Sequence, residues 1–123
     1  MRICLCGSTR FKEQYEAWNK SLTLDGHTVY SVAFFPNQEE IDSNKKEFVD
    51  LIHLKKILDS DIIFVINSTR PWDTENAYIG DSTRKEIMWA KILDKDIVYS
   101  SNPYHNTVRI NQPLTGKVFD EEA

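Results

Sequence analysis

The stretch DIIFVI, residues 61–66, decides the architecture. Five consecutive apolar side chains leave no polar face for water, and a strand buried on both faces is what a parallel sheet covered by helices requires. On its C-terminal side, DSTRKEIMWAKILDK (81–95) predicts a helix and DIVYS (96–100) a further strand. On its N-terminal side, RICLC (2–6) is a short apolar strand, and Phe11, Tyr15, Trp18 and Leu22 recur at helical spacing. TVYSVAFF (28–35), β-branched and aromatic, predicts a second strand ended by Pro36. A helix is then expected from Gln38 to Leu58, with Ile41, Phe48, Leu51, Ile52 and Leu58 on its inner side.

Strands alternating with helices predict an α/β, three-layer fold with a mostly parallel sheet of four to five strands, flavodoxin- or Rossmann-like. The 123 residues suit a single domain (1–123) with a genuine core. Residues 101–123 carry a weak signal: one short strand around Thr107–Ile110, then an acidic tail.

Composition narrows the partners. With 41% hydrophobic and 28% charged residues and no apolar run near the ~20 needed to cross a bilayer, a cytoplasmic protein is expected. MRICLCGSTR reads as a first strand with no secretory cleavage site. A formal charge of −4, its lysines and arginines scattered, offers no basic stripe for a nucleic-acid polymer and leaves small molecules as ligands. Cys4 and Cys6 share one strand face, where free thiols act as small hydrophobes. Lacking a partner His or Cys at ligand spacing, they predict no metal site, and no cofactor is expected. His53 stands with no histidine or carboxylate at ligand spacing and is expected to be structural, as are His27 and His105.

In open parallel sheets the ligand site lies beyond the carboxyl ends of the strands. Three loops qualify: GSTR (7–10), PNQ (36–38) and NSTRPWDTENAYIG (67–80). The last far exceeds the roughly 2–6 residues usual for such connections, a length typical of lids and binding loops. Gly7, Ser8 and Thr9 offer backbone N–H groups and hydroxyls to an anion or a sugar, or simply cap the following helix. Tyr78 and Trp72 are candidates to stack on a flat base. Arg10, Arg70 and Arg84 border these loops as candidate phosphate partners or as solvated surface groups.

Glu86 admits two readings. Thr83-x-x-Glu86 fits a capping box that closes a helix start. Counted around the helix at ~100° per residue, however, Glu86 falls among Trp89, Ala90 and Leu93, opposite Arg84, Lys85, Lys91 and Lys95. Burying a carboxylate costs several kcal/mol. In the first turn of the helix the dipole would hold it as an anion, which suits a nucleophile or a base.

YIGDSTRKEIMWA (78–90), with SDIIFVIN before it and ICLCGS at the N-terminus, resembles the nucleoside 2-deoxyribosyltransferase family and its relatives, the 2'-deoxynucleoside 5'-phosphate N-hydrolases, over about residues 2–99. The family motif runs aspartate, small residue, Gly, Thr, two variable residues, then the glutamate that attacks the sugar. Thr83 and Glu86 match it, and Ser82 replaces the glycine. The motif's aspartate position is Gly80, with Asp81 displaced by one, and the usual Asp-Gly after the central strand is Asn67-Ser68.

The resemblance implies an enzyme of nucleotide metabolism that cleaves or transfers the N-glycosidic bond of a 2'-deoxynucleoside, with Glu86 as nucleophile. Asp81 or Asp73 would protonate the departing base, though Asp81 is equally an N-cap candidate. Gly7, Ser8, Thr9, Asn67, Tyr78, Gly80, Ser82 and Thr83 would bind substrate. It also implies a homodimer or larger homo-oligomer. The alternatives are a monophosphate N-glycosidase, a hydrolase, and a non-catalytic nucleotide-sensing module.

Overall fold

The computed structural model describes residues 1–32, 42–106 and 111–113. β1 (Arg2–Gly7), β2 (Thr28–Tyr30), β3 (Ile62–Ile66) and β4 (Asp96–Tyr99) form one sheet in the order β2-β1-β3-β4. Every pairing in it is parallel, with Ile3 opposite both Val29 and Ile62, and Phe64 opposite Val98. α1 (Lys12–Leu24), α2 (Ser43–Leu58) and α3 (Asp81–Ile92) are the crossovers. A separate antiparallel pair, β5 (Tyr104–Asn106) and β6 (Asn111–Pro113), follows. The strand expected at Thr107–Ile110 and the loop at 36–38 lie outside the described residues.

Two-residue alternation divides the core into two layers. Ile3, Leu5, Ile62, Phe64 and Ile66 face one side and pack with Phe11, Tyr15, Trp18 and Leu22, the stripe that the periodicity of α1 predicts. Trp18 and Phe64 meet with ring centroids 4.5 Å apart. Cys4, Cys6, Ile63 and Val65 face the other side, against Ile57 of α2 and Ile87 and Ala90 of α3. All five residues of β3 are buried, as a helix-sheet-helix sandwich demands. Among the described residues no helix is long and apolar enough to cross a membrane.

Several expectations need correcting. β2 is only Thr28–Tyr30, and Ser31 and Val32 already leave the sheet. α2 begins at Ser43 because Asp42 is extended and its carboxylate accepts from the Lys45 N–H, a side-chain cap. Its inner face only partly follows the expected stripe: Ile52 is half-buried, Phe48, Leu51 and Leu58 are exposed, His53 and Ile57 are buried, and Ile41 lies outside the described residues. α3 starts at Asp81 with Gly80 as its N-cap and ends at Ile92. The capping box is therefore absent, Asp81 is not the cap, and Glu86 lies beyond the first turn, where the helix N-terminus supports its charge less.

β1 and β3 are neighbours whose crossovers leave in opposite directions along the sheet. This divergence makes the crevice beyond their carboxyl ends the topological switch point of a doubly wound fold.

Candidate active site

A cavity of about 570 Å³ fills that crevice. The β1–α1 turn contributes Gly7, Ser8 and Thr9, the start of α3 contributes Gly80, Asp81, Ser82, Thr83 and Glu86, and Tyr78 comes from the long loop. Sequence reading named all of these. Val32 and α2 form the remaining wall: Phe48 and Ile52, expected on the inner side of the helix, and His53, expected to be structural, are joined there by Val49 and by Lys46, Asp50 and Lys56, which sequence reading did not name.

The turn after β1 is fixed tightly. Gly7 has φ of +141°, and a Cβ there would overlap the Ile66 carbonyl of the adjacent strand. The buried Tyr15 hydroxyl donates to the Gly7 carbonyl at 2.8 Å. Ser8 caps the short 3-10 turn Thr9–Phe11, its Oγ accepting from the Arg10 N–H at 3.3 Å, so capping and cavity lining are combined in one residue.

The long loop is fastened at its base. Ser100 Oγ accepts from the backbone N–H groups of Asn67 and Ser68 at 3.0 and 3.2 Å and donates to Asn67 Oδ1 at 3.0 Å. The Asn67 amide also bonds Ser101, and the Tyr78 N–H reaches the Asn67 carbonyl at 2.7 Å. Asn67, expected to bind substrate, is thus not in the cavity wall: it is 5% exposed and knots the loop to the end of β4. Ser100→Ala would strand two buried N–H groups, so we expect a loss of about 1–3 kcal/mol in chemical denaturation and faster amide exchange across residues 67–78.

Tyr78, 42% exposed, lies with Arg10 4.0 Å from its ring centroid, a stacked cation that steadies the ring at the cavity rim. Trp72 and Asp73 stay out of the cavity. Trp72 is turned outward at a φ of +68°. Asp73 accepts from the N–H groups of Glu75 and Asn76, an Asx turn shaping the loop tip. Arg70 and Arg84 also lie outside the wall.

Glu86 points inward. Its side chain is 17% exposed. Oε1 lies 3.9 Å from His53 Nε2, and Oε2 is buried with no hydrogen-bond partner among the described residues. Burial raises its pKa from 4.5 to about 7, against the lowering influence of His53. Burial also opposes the His53 imidazolium, but the Cys4 hydrogen bond and charge, with the Glu86 carboxylate, outweigh it and raise His53 above 6.5.

The partners of His53 went unseen in the sequence because they are remote along the chain. Its Nε2 is 3.5 Å from Cys6 Sγ and 3.7 Å from Cys4 Sγ, contacts created only when α2 is laid across β1. A signal did exist: Lys46, Asp50, His53 and Ile57 recur at spacings of four and three, a polar inward stripe.

The class thus defined is a flavodoxin-like parallel α/β domain with a switch-point cavity. The chain matches no protein-family model and no curated protein. Among solved structures it is similar to a 2-deoxyribosyltransferase from the psychrotolerant bacterium Bacillus psychrosaccharolyticus, a biocatalyst for the industrial synthesis of antiviral and antitumoral nucleosides. The TM-score is 0.60 at 24% identity, over 80% of this chain and 71% of that one. At that identity what the two chains share is the fold, in agreement with the resemblance carried by residues 78–90.

Proposed function

We propose that the protein cleaves and transfers the N-glycosidic bond of 2'-deoxynucleosides, with Glu86 as the nucleophile. The observation that carries this reading is a carboxylate with one buried, unpartnered oxygen on the wall of a cavity large enough for a nucleoside. A carboxylate in that state is poorly solvated and therefore reactive towards an electrophilic carbon.

In this mechanism a Glu86 oxygen attacks the anomeric carbon, the carbon–nitrogen bond to the base breaks, and a glycosyl ester forms through an oxocarbenium-like transition state. The base leaves with a proton from an acid on the cavity wall, and the presence of Asp81 in that wall supports it in this role. A second base resolves the ester by transfer, or water does so by hydrolysis. Ser8, Thr9, Ser82 and Thr83 offer hydroxyls to the sugar, and Tyr78 offers its ring to the base.

Incubation with a deoxynucleoside, with and without a second free base, tests the reading. Base-dependent exchange and a glycosyl adduct on Glu86 by mass spectrometry are expected. Nucleotide binding detected as a thermal shift, with neither product nor adduct across a panel of deoxynucleosides and monophosphates, would leave a non-catalytic sensing module. The ionised form of Glu86 is the reactive one, so kcat/KM should rise with pH and level off above about 7, following the raised Glu86 pKa.

Lys46 and Lys56 support a second reading, a monophosphate N-glycosidase. Both line the cavity, and Lys46 Nζ lies 3.5 Å from Ser82 Oγ, so an incoming phosphate would meet two cations. A homo-oligomer is part of the proposal, supported by exposed Leu51 on α2 and Met88 and Ile92 on α3.

A further inference from the structure

The proposed glycosyl chemistry uses Glu86 but not the three groups behind it. Cys4 Sγ, Cys6 Sγ and a ring nitrogen of His53 lie within 4.8 Å of one another, and all three residues are buried. The S···N separations are 3.5 and 3.7 Å. In a tetrahedral centre with metal–sulfur bonds of about 2.3 Å and metal–nitrogen bonds of about 2.0–2.1 Å, one S···N edge spans roughly 3.5–3.6 Å. Both S···N edges therefore already match such a centre, and the S···S edge, within 4.8 Å, has only to close to about 3.8 Å. Facing the same imidazole nitrogen is Glu86 Oε1 at 3.9 Å, in the carboxylate whose other oxygen has no partner.

We propose that Cys4, Cys6 and His53 form a three-ligand site for a thiophilic divalent cation of the zinc class, its fourth position open to water on the side facing the cavity. The donor set selects the ion. Two sulfurs and an imidazole suit zinc, cadmium or cobalt(II), whereas magnesium and calcium require oxygen ligands. A route in exists, because His53 and Glu86 line the cavity and the cysteines lie behind them. On binding, each ligating thiol gives its proton to bulk water and its sulfur donates a lone pair to the ion, with no change of oxidation state.

C-x-C on a strand alone does not make a site. It becomes one here because residues two apart on β1 share a face, and because α2 sets a histidine over that face. This corrects the expectation that the two thiols lack a third ligand.

Cobalt(II) titration of the full chain under anaerobic, reducing conditions is the test. One equivalent should produce a strong sulfur-to-cobalt charge-transfer band and the visible bands of a tetrahedral ion, both bleached by zinc. With only two cysteines in the chain, the charge-transfer band by itself assigns the sulfur. Cys6→Ser and His53→Gln should each weaken cobalt binding by at least about tenfold, since even outer-shell changes at metal sites cost 10–100-fold.

A wild-type spectrum of weakly absorbing six-coordinate cobalt, with zinc leaving the melting temperature unchanged, would overturn the proposal whether or not the variants fold. Because the readout needs no turnover, a protein that binds cobalt through sulfur yet moves no nucleobase would refute the glycosyl reading and leave this one standing.

Discussion

Glu86→Gln should abolish glycosyl transfer, lowering kcat/KM by at least about 10³-fold, while making the protein more stable. The first effect follows because an amide cannot form the glycosyl ester, and loss of a covalent nucleophile removes several kcal/mol of transition-state stabilisation. The second follows from burial. A carboxyl whose pKa is raised from 4.5 to about 7 carries an ionisation cost on the order of 3 kcal/mol at 1.4 kcal/mol per pH unit. A neutral isostere escapes it.

The pH dependence has a definite sign. The folded state keeps the Glu86 proton between about pH 4.5 and 7, where the unfolded chain has released it. Stability due to that proton is present below 4.5 and lost as pH rises through 7. The advantage of Glu86→Gln should therefore be near zero at pH 4.5 and reach about 1–3 kcal/mol by pH 7.5. His53, Cys4, Cys6 and Asp50 also act on this carboxylate, and His53 should titrate lower once its charged partner is gone. Urea denaturation of both forms at a series of pH values gives the difference directly. If the variant were less stable at pH 7.5, Glu86 would be a structural partner and not a strained group held for chemistry.

Gly7→Ala should cost about 2–6 kcal/mol, and the surviving folded protein should bind the proposed nucleoside ligand poorly. A φ of +141° is strained for any side chain, at about 1–3 kcal/mol. The added methyl group also meets the Ile66 carbonyl, a backbone atom fixed by the β1–β3 ladder and unable to step aside. The usual overpacking penalty of about 1–3 kcal/mol adds to the strain. Relief would require β1 to move away from β3 where the cavity begins, so binding should fall together with stability. Gly26→Ala, at a φ of +95° with no atom within 4 Å of the added methyl group, carries the backbone strain without this clash and serves as the control. A Gly7→Ala protein melting within a degree or two of wild type would show that the turn relaxes freely.

The layers of the fold were legible in the sequence because their causes are local. DIIFVI has no polar face, and Phe11, Tyr15, Trp18 and Leu22 repeat at helical spacing. The same holds for most of the cavity wall, since loops beyond the carboxyl ends of parallel strands can be located once the strands are known. Glu86 was read correctly as inward-facing, although the capping box proposed beside it does not form: Gly80, with no side chain to bond, occupies the cap.

What could not be read depended on which helix lies over which strand. Phe48, Leu51 and Leu58 of α2 look like core by periodicity, yet the inward face is the one bearing His53. Asn67 follows the central strand, where substrate binding was expected, but Ser100 and Ser101, more than thirty residues away, claim its amide. Both misreadings arise from long-range partners that no window of sequence contains.

The loop from Asn67 to Gly80 has both feet tied down, one through Ser100 and the other through the Tyr78 to Asn67 bond, while Thr74 to Ala77 are exposed. Its tip can therefore be lengthened, shortened or even cut to make new chain termini without loosening the sheet beneath. Because the cavity wall takes Tyr78 and Gly80 from this loop and nothing from its tip, splicing a few residues at that spot would redraw the outline of the molecule and leave the pocket as it is.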